Sequence, residues 1–324
     1  MKILVAGGAG YIGSCTVEYL LDHGHEVVVF DSLVKGHREA VDPRVARFIH
    51  GDLADRAAIL RAMQETKPEG IIHFAAFIEV GESMKDPGKY FGNNDSCGLN
   101  LLDAAVACGV RKLVFSSTAA TYGMPKTIPI PETEPTVPIN AYGESKLIFE
   151  KILRWYQEIH GLNYVALRYF NACGATAKFG ENHNPESHII PIMLQVAQGK
   201  RDRLQIYGND YETPDGTCIR DYIHVLDLAQ AHLQALESSH TGAFNLGSGK
   251  GFSVKQLLET AREVTGHAIP ADFAPRRPGD PPFLISDSTA ARTKLGWKPA
   301  HDDLREIIRN AWDWRQRHPA GYAS

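Results

Sequence analysis

A glycine-rich turn set between an apolar run and a helical pattern constrains this chain more than any other feature. Lys2–Ala6 reads as a strand, Gly7-Gly8-Ala9-Gly10-Tyr11-Ile12-Gly13 as a loop, and the pattern from about Ile12 to Asp22 as a helix. Glycines 7, 10 and 13 have the spacing Gly-x-x-Gly-x-x-Gly, one residue different from the Gly-x-Gly-x-x-Gly fingerprint. Small residues let backbone N–H groups approach a pyrophosphate at the positive end of a helix, and the last glycine lets helix and strand pack closely. A plain tight turn uses the same glycines. The strand before and the helix after favour a dinucleotide site.

The alternation continues through the first half. Strand patterns at His25–Phe30, Arg47–His50, Gly70–Phe74, Lys112–Ser116 and Asn163–Arg168 are separated by helical patterns at Ala57–Thr66, Asn100–Cys108 and Ile139–His160. Strands apolar on both faces between helices predict a Rossmann-like, doubly wound parallel sheet in an α/β fold. After about Phe170 the chain turns irregular and rich in Gly, Pro, His and Asn, with helical patterns at Pro191–Gln198, Val225–Ala235 and Ser253–Thr265 and a short strand at Gly242–Leu246. We expect a dinucleotide-binding domain over 1–172, with later segments returning to it. A smaller mixed α/β substrate domain is expected over 173–324.

Asp31 ends the second predicted strand, 18 residues past Gly13. A carboxylate there accepts hydrogen bonds from an adenosine ribose and repels a 2′-phosphate, which favours NAD over NADP; the alternative is a helix cap. Lys35 and Arg38 follow, either as phosphate contacts or as solvated loop charges. Asp52 suits an adenine amino group, and it or Asp55 suits a cap, in equal measure. Ser116-Ser117-Thr118 leaves a strand at the end where ligands bind in open α/β sheets. Tyr142 and Lys146, four apart at the start of a long helix, share one face. A lysine beside a phenol lowers its pKa, which makes Tyr142 a candidate acid/base and points to hydride chemistry on an alcohol.

Other chemistries lack support. The net charge of −4 gives no basic footprint for nucleic acid. No apolar run approaches the roughly 20 residues of a membrane helix. Five scattered cysteines with no Cys-x-x-Cys pair suit a reducing cytosol. There is no Gly-x-Ser-x-Gly elbow. His183 and His188, five apart with no cysteine partner, lack metal-ligand spacing, so no metal is expected.

The glycine loop, Asp31, Asp52, residues 116–118 and Tyr142-x-x-x-Lys146 together resemble the extended short-chain dehydrogenase/reductase family. The strings His73-Phe74-Ala75-Ala76, Arg168-Tyr169-Phe170-Asn171, Tyr207 to Thr217, Arg220 to Val225, Asn245-Leu246-Gly247 and Ala274 to Asp280 resemble its UDP-sugar 4-epimerase branch from end to end. The resemblance implies a retained NAD and interconversion of UDP-glucose and UDP-galactose through a transient 4-keto sugar. It makes Tyr142 the proton carrier, Lys146 the group that holds the nicotinamide ribose and keeps Tyr142 acidic, and Thr118 the hydrogen-bonding partner of the sugar 4-oxygen. It implies NAD contacts at Gly7, Gly10, Tyr11, Ile12, Gly13, Asp31, Ser32, Leu33, Val34, Lys35, Gly36, Asp52, Leu53, Phe74, Ala75, Ala76, Asn94, Ser116 and Phe170. It implies UDP-sugar contacts at Asn171, His188, Ile189, Gln205, Ile206, Tyr207, Arg220, Arg277 and Asp280, and a homodimer.

Two positions depart from the resemblance. Many members carry a lysine near the nicotinamide where this chain has Ile78. At the position that gates the sugar pocket, a tyrosine goes with plain hexoses and a small residue with N-acetylhexosamines; here it is Leu284. Rival readings are a UDP-glucuronate or UDP-pentose epimerase, a carbonyl reductase that releases its cofactor, and a non-catalytic dinucleotide sensor. Ala119-Ala120 after Thr118 counts against a 4,6-dehydratase, which needs an acidic pair there.

Overall fold

The computed structural model describes residues 1–277 and 279–322. The chain begins β1 (Lys2–Ala6), α1 (Tyr11–Asp22), β2 (Glu26–Asp31), β3 (Arg47–His50), α2 (Arg56–Thr66) and β4 (Gly70–His73). Two single-turn helices, α3 (Val80–Ser83) and α4 (Pro87–Tyr90), lead through a π-helical turn at Phe91–Ser96 into α5 (Cys97–Ala107). β5 (Lys112–Thr118), α6 (Ala141–His160) and β6 (Asn163–Tyr169) complete the alternation.

These strands form one parallel sheet in the order β3-β2-β1-β4-β5-β6, closed at its far edge by β10 (Gly242–Leu246). Successive residues of a strand face opposite sides, and both sides are apolar. Ile3 and Val5 pack in one core with Val17 and Leu20 of α1 and Leu228 of α8 (Val225–Glu237). Leu4 and Ala6 pack in another with Ile59, Leu101 and Phe149 from α2, α5 and α6. β1 pairs with both β2 and β4, so the winding reverses between β1 and β4. A crevice opens outside the strand C-termini at that point.

The remaining elements are β7 (Asn171–Cys173), α7 (Ile189–Ala197), β8 (Leu204–Tyr207), β9 (Ile219–His224), β11 (Gly251–Ser253), α9 (Val254–Thr265), β12 (Ala271–Ala274), β13 (Phe283–Leu284), α10 (Thr289–Lys294) and α11 (Leu304–Arg317). β9 pairs with β7 and β13 in parallel and with β11 antiparallel, and β8 pairs with β12. A separate core from α7, α9, α11 and these strands includes Met193, Leu194, Leu257 and Ile307. The chain therefore crosses between layers more than once: β10 and α8, well past residue 172, lie with the large sheet. Sequence patterning missed the helices α3, α4, α10 and α11 and the strands β7, β8, β9, β11, β12 and β13.

Candidate active site

A cleft of about 1210 Å³ runs along the C-terminal edge of the large sheet and under the smaller layer. At one end lies the glycine loop. A Cβ on Gly7 (φ +84) would fall 2.5 Å from the Ala75 nitrogen, and one on Gly13 would fall 2.2 Å from the Gly7 carbonyl oxygen. Only glycine permits that approach of α1 to β1 and β4. Asp31, 8% exposed, accepts from the Ala9 N–H at 2.9 Å and the Leu33 N–H at 2.8 Å. It caps no helix; it ties the loop after β1 to the end of β2. Burial raises its pKa, and those two backbone donors work against the rise.

Asp52 gives one oxygen to the Ala54 N–H, while Asp55 caps α2 through the Ala58 N–H. The capping role thus falls to Asp55. Lys35 is exposed, and its Nζ donates to Glu79 at 2.8 Å. Ser32, Val34, Gly36, Leu53, Phe74, Ala75, Ala76, Ser116 and Phe170 line the cleft with Gly10, Tyr11 and Ile12, as does Ile78, the first departure. Leu33 and Asn94 do not. Asn94 is buried instead, accepting from the Phe77 N–H and donating to the Phe77 carbonyl and Ser145. It clamps the irregular segment that follows β4, outside the cleft lining.

The second end is built by β5 and α6. Asn140 caps α6 by accepting from the Gly143 N–H at 2.8 Å. A Cβ on Gly143 would fall 2.6 Å from the Ala120 carbonyl oxygen, so the helix start presses on the chain leaving β5. That contact sets Tyr142 and Thr118 in the same cleft wall, near enough for Thr118 to favour the phenolate. Buried Ser83 accepts from the Tyr142 N–H at 3.1 Å and fixes the first turn from the other side. No sequence signal marked Ser83.

Lys146 is 2% exposed and lies behind the cleft wall rather than in it. Its Nζ donates to the Ser116 carbonyl at 2.8 Å and stands 6.0 Å from the Tyr142 ring centroid. Burial dominates the proton affinity of both groups. Burial pushes the Tyr142 pKa up to about 12, the Thr118 hydrogen bond opposing and the Glu79 charge adding to the rise. Lys146 is not among the causes of that rise, and burial brings its own pKa down to about 7 against the pull of Asp95. Asp95, on the π-helical turn, rises to about 7, chiefly from burial. Neither of its carboxylate oxygens has a hydrogen-bond partner.

The smaller layer supplies the rest of the cleft. Asn171 donates to the Asp221 carbonyl at 2.8 Å. Gln205 and Tyr207 stand on the outer face of β8; Ile206, between them, turns into the core and leaves only its backbone for a ligand. Arg220 and Asp280, expected as separate substrate contacts, are paired with each other at 2.5 Å. Arg277 is exposed at the cleft and lies over the Tyr207 ring, 4.0 Å from its centroid. Leu284 packs beside Ala119, Tyr122, Ile130 and Phe170 in the cleft wall. His188 and Ile189 begin α7 at the cleft. Glu181 and Glu186 hold the His183 and His188 imidazoles, an association the five-residue spacing had not suggested.

A reversing parallel sheet, a glycine loop closed on Asp31 and a Thr–Tyr–Lys set at a strand end define a nucleotide-dependent enzyme of the short-chain dehydrogenase/reductase type. Residues 3–247 match the model of the NAD dependent epimerase/dehydratase family, and the chain belongs to that family. It is 56% identical over 328 residues to the UDP-glucose 4-epimerase of Lacticaseibacillus casei, covering 99% of each chain. A solved UDP-glucose 4-epimerase superposes with a TM-score of 0.98 at 47% identity over 100% of both chains. That of Bifidobacterium longum, solved in complex with NAD+ and UDP, does so with a TM-score of 0.94 at 36% identity, over 99% of this chain and 100% of that one.

Proposed function

We propose that the protein is an isomerase that interconverts UDP-glucose and UDP-galactose at C4 through a transient 4-keto sugar, with NAD kept in the cleft between turnovers. The carrying observation is that Thr118, at the end of β5, and Tyr142 line one cleft with the glycine loop, beside a buried lysine. Gly7, Gly10 and Gly13 would hold the dinucleotide pyrophosphate against the start of α1, and Asp31 its adenosine ribose. All three glycines line the cleft, and a Cβ on Gly10 would meet only the Gly7 carbonyl oxygen, at 3.5 Å, which leaves the open backbone approach that use needs. When bound, NAD supplies a reversible hydride acceptor at C4, and its oxidised ring supplies a positive charge that favours the Tyr142 phenolate.

The chain's own groups do the proton work. Tyr142 takes the proton of the sugar 4-hydroxyl and later returns it. Thr118 orients the 4-oxygen, and protonated Lys146 favours the phenolate from behind. Arg220 and Arg277 suit the UDP pyrophosphate, since guanidinium forks match phosphate oxygens. Asp280 suits ribose hydroxyls. Occupying the site then requires the Arg220–Asp280 pair to share its hydrogen bonds with the nucleotide.

The test is to incubate purified protein with each sugar nucleotide separately and no added NAD. Conversion in both directions is expected. Activity that strictly follows added cofactor, with a ketone accumulating, supports a dehydrogenase or reductase instead. The same panel should include UDP-N-acetylglucosamine and UDP-xylose, because Leu284 leaves more room than a tyrosine. A homodimer is part of the proposal: Trp155 and Ile159 on α6 are 53% and 68% exposed and offer an apolar face to a second copy. Sedimentation decides it. A cytosolic location is proposed from the five cysteines, all free thiols.

A further inference from the structure

The loop between β7 and α7 carries Glu181-x-His183-x-x-Glu186-x-His188. The proton chemistry at Tyr142 uses none of these side chains. Yet one ligand atom from each of the four lies within 4.8 Å of the others. Nδ1 of His183 is 3.2 Å from Oε1 of Glu181 and 3.8 Å from Oε1 of Glu186. Nδ1 of His188 touches the same Glu181 oxygen and lies 4.0 Å from the same Glu186 oxygen. Two imidazole nitrogens and two carboxylate oxygens thus converge on one point from a single eight-residue stretch.

Three further observations separate this from an accidental cluster. Nδ1 of His183 is sealed from solvent and has no hydrogen-bond partner. It needs something more than the neighbouring carboxylates, because a buried polar atom left unpartnered is costly. Next, the ligands are oriented from outside. Oε1 of Glu186 accepts from the Ser187 and His188 N–H groups, and Arg315 donates to the Glu181 carbonyl while standing 3.5 Å from Oε2 of Glu186. Such outer contacts are typical of ligating groups. Finally, the site opens on the cleft: the His188 side chain is 47% exposed and lines it with Glu181 and His183. An ion has a way in.

We propose that Glu181, His183, Glu186 and His188 form a divalent cation site, with zinc as the ion that fits best. A tetrahedral zinc 2.0–2.1 Å from each ligand sets ligand atoms about 3.3 Å apart. The four pairs named above fall on both sides of that spacing, so shifts of less than about 1 Å complete the sphere. Two imidazoles with two carboxylates form a borderline set that suits zinc over calcium or magnesium. Arg315 offsets one of the two carboxylates; Glu181 and Glu186 favour protonated imidazoles in the empty pocket, so a bound cation takes the place of those protons. The bound ion ties the 181–188 loop to the start of α7.

The experiment uses tag-free full-length protein, with bound NAD left in place. The protein is loaded with zinc, desalted and assayed for zinc by mass spectrometry, then titrated in competition with a chelating indicator. One equivalent per chain, held against the indicator, is expected. Zinc should also raise the unfolding temperature of the wild type. Cobalt loading should give the visible absorption of a four-coordinate site. His183→Gln and Glu181→Gln should each abolish the stoichiometric binding and the zinc-dependent thermal shift. Two protonated imidazoles would satisfy the same carboxylates and bind no cation. Zinc that the indicator removes completely from the wild type, or equal stoichiometry in wild type and folded variants, overturns the proposal. The indicator titration needs no variant, so a variant that fails to fold leaves the test intact.

Discussion

Two buried basic side chains sit on the neighbours of β5, and the chain treats them in opposite ways. Arg168 on β6 meets Glu150 of α6 through two hydrogen bonds of 2.9 and 2.5 Å, and gives a third to the Tyr122 hydroxyl. Ser117 donates to Glu150, Tyr122 to Asn245, and Asn245 to the Ile130 carbonyl. Every polar partner has a partner. Lys146, four residues before Glu150 on the same helix, has one backbone carbonyl and an Asp95 that makes no hydrogen bond. The satisfied network holds β5, β6 and α6 together. The unsatisfied pair is where burial has driven a lysine and a carboxylate to about 7 from opposite directions. Groups poised between charge states collect at functional sites, whereas fully paired networks specify structure.

The largest effect should come from Tyr142→Phe. It removes the proton carrier and keeps the ring, so turnover should fall by about 10²–10⁴-fold while UDP affinity and unfolding temperature hardly move. Steady-state rates with a UDP-binding titration check this. Retained activity would take Tyr142 out of the chemistry.

Lys146→Met sharpens the contrast directly. Turnover should drop on the order of 10²-fold, as expected for loss of a group that supports proton transfer. Stability should hold or rise by about 1 kcal/mol, because an unpaired buried amine is replaced by an apolar chain of similar length. Glu150→Ala should do the reverse. It strands Arg168 and should cost about 3–5 kcal/mol in a urea titration, with the activity of the remaining folded protein largely kept. If Glu150→Ala proved mild and Lys146→Met ruinous to folding, the assignment of structural and functional roles would be wrong.

The smallest effect is a pH slope. Lys146 drops from 10.5 to about 7 on folding, so between those values the unfolded chain binds more protons and stability rises with pH. Asp95 rises from 3.8 to about 7, so below about pH 7 the folded chain holds the extra proton and stability falls as pH climbs. The pair is thus least favourable near neutrality. Denaturant midpoints from pH 7 to 9 should rise in the wild type, with that component absent in Lys146→Met. Identical slopes would remove Lys146 as their source.

The site was legible where chemistry is written in local spacing. The glycine loop needs a strand before it and a helix after it, and Tyr142 and Lys146 need only a helical repeat. What local spacing could not carry is the state of Lys146, since that depends on Asp95 and Ser116 arriving from other elements. The short strands of the smaller layer escaped for a related reason. β7 and β13 are three and two residues long, exist only by pairing with β9, and have no periodicity to read. Arg220 was legible as a cation, but its pairing with Asp280, 60 residues on, was not. The four-residue cluster at 181–188 was passed over because its spacing fits no standard ligand motif. Only the folded loop turns both imidazoles toward the same carboxylates.

The central claim is that C4 of the sugar loses and regains its hydrogen within one closed site. UDP-galactose carrying deuterium at C4, incubated with the purified protein and an excess of unlabelled NAD and NADH, tests it most directly. The account predicts UDP-glucose that retains the deuterium at C4, with none in the added cofactor. Label washed into the cofactor pool would contradict it, as would a parallel incubation without added cofactor that gave no product.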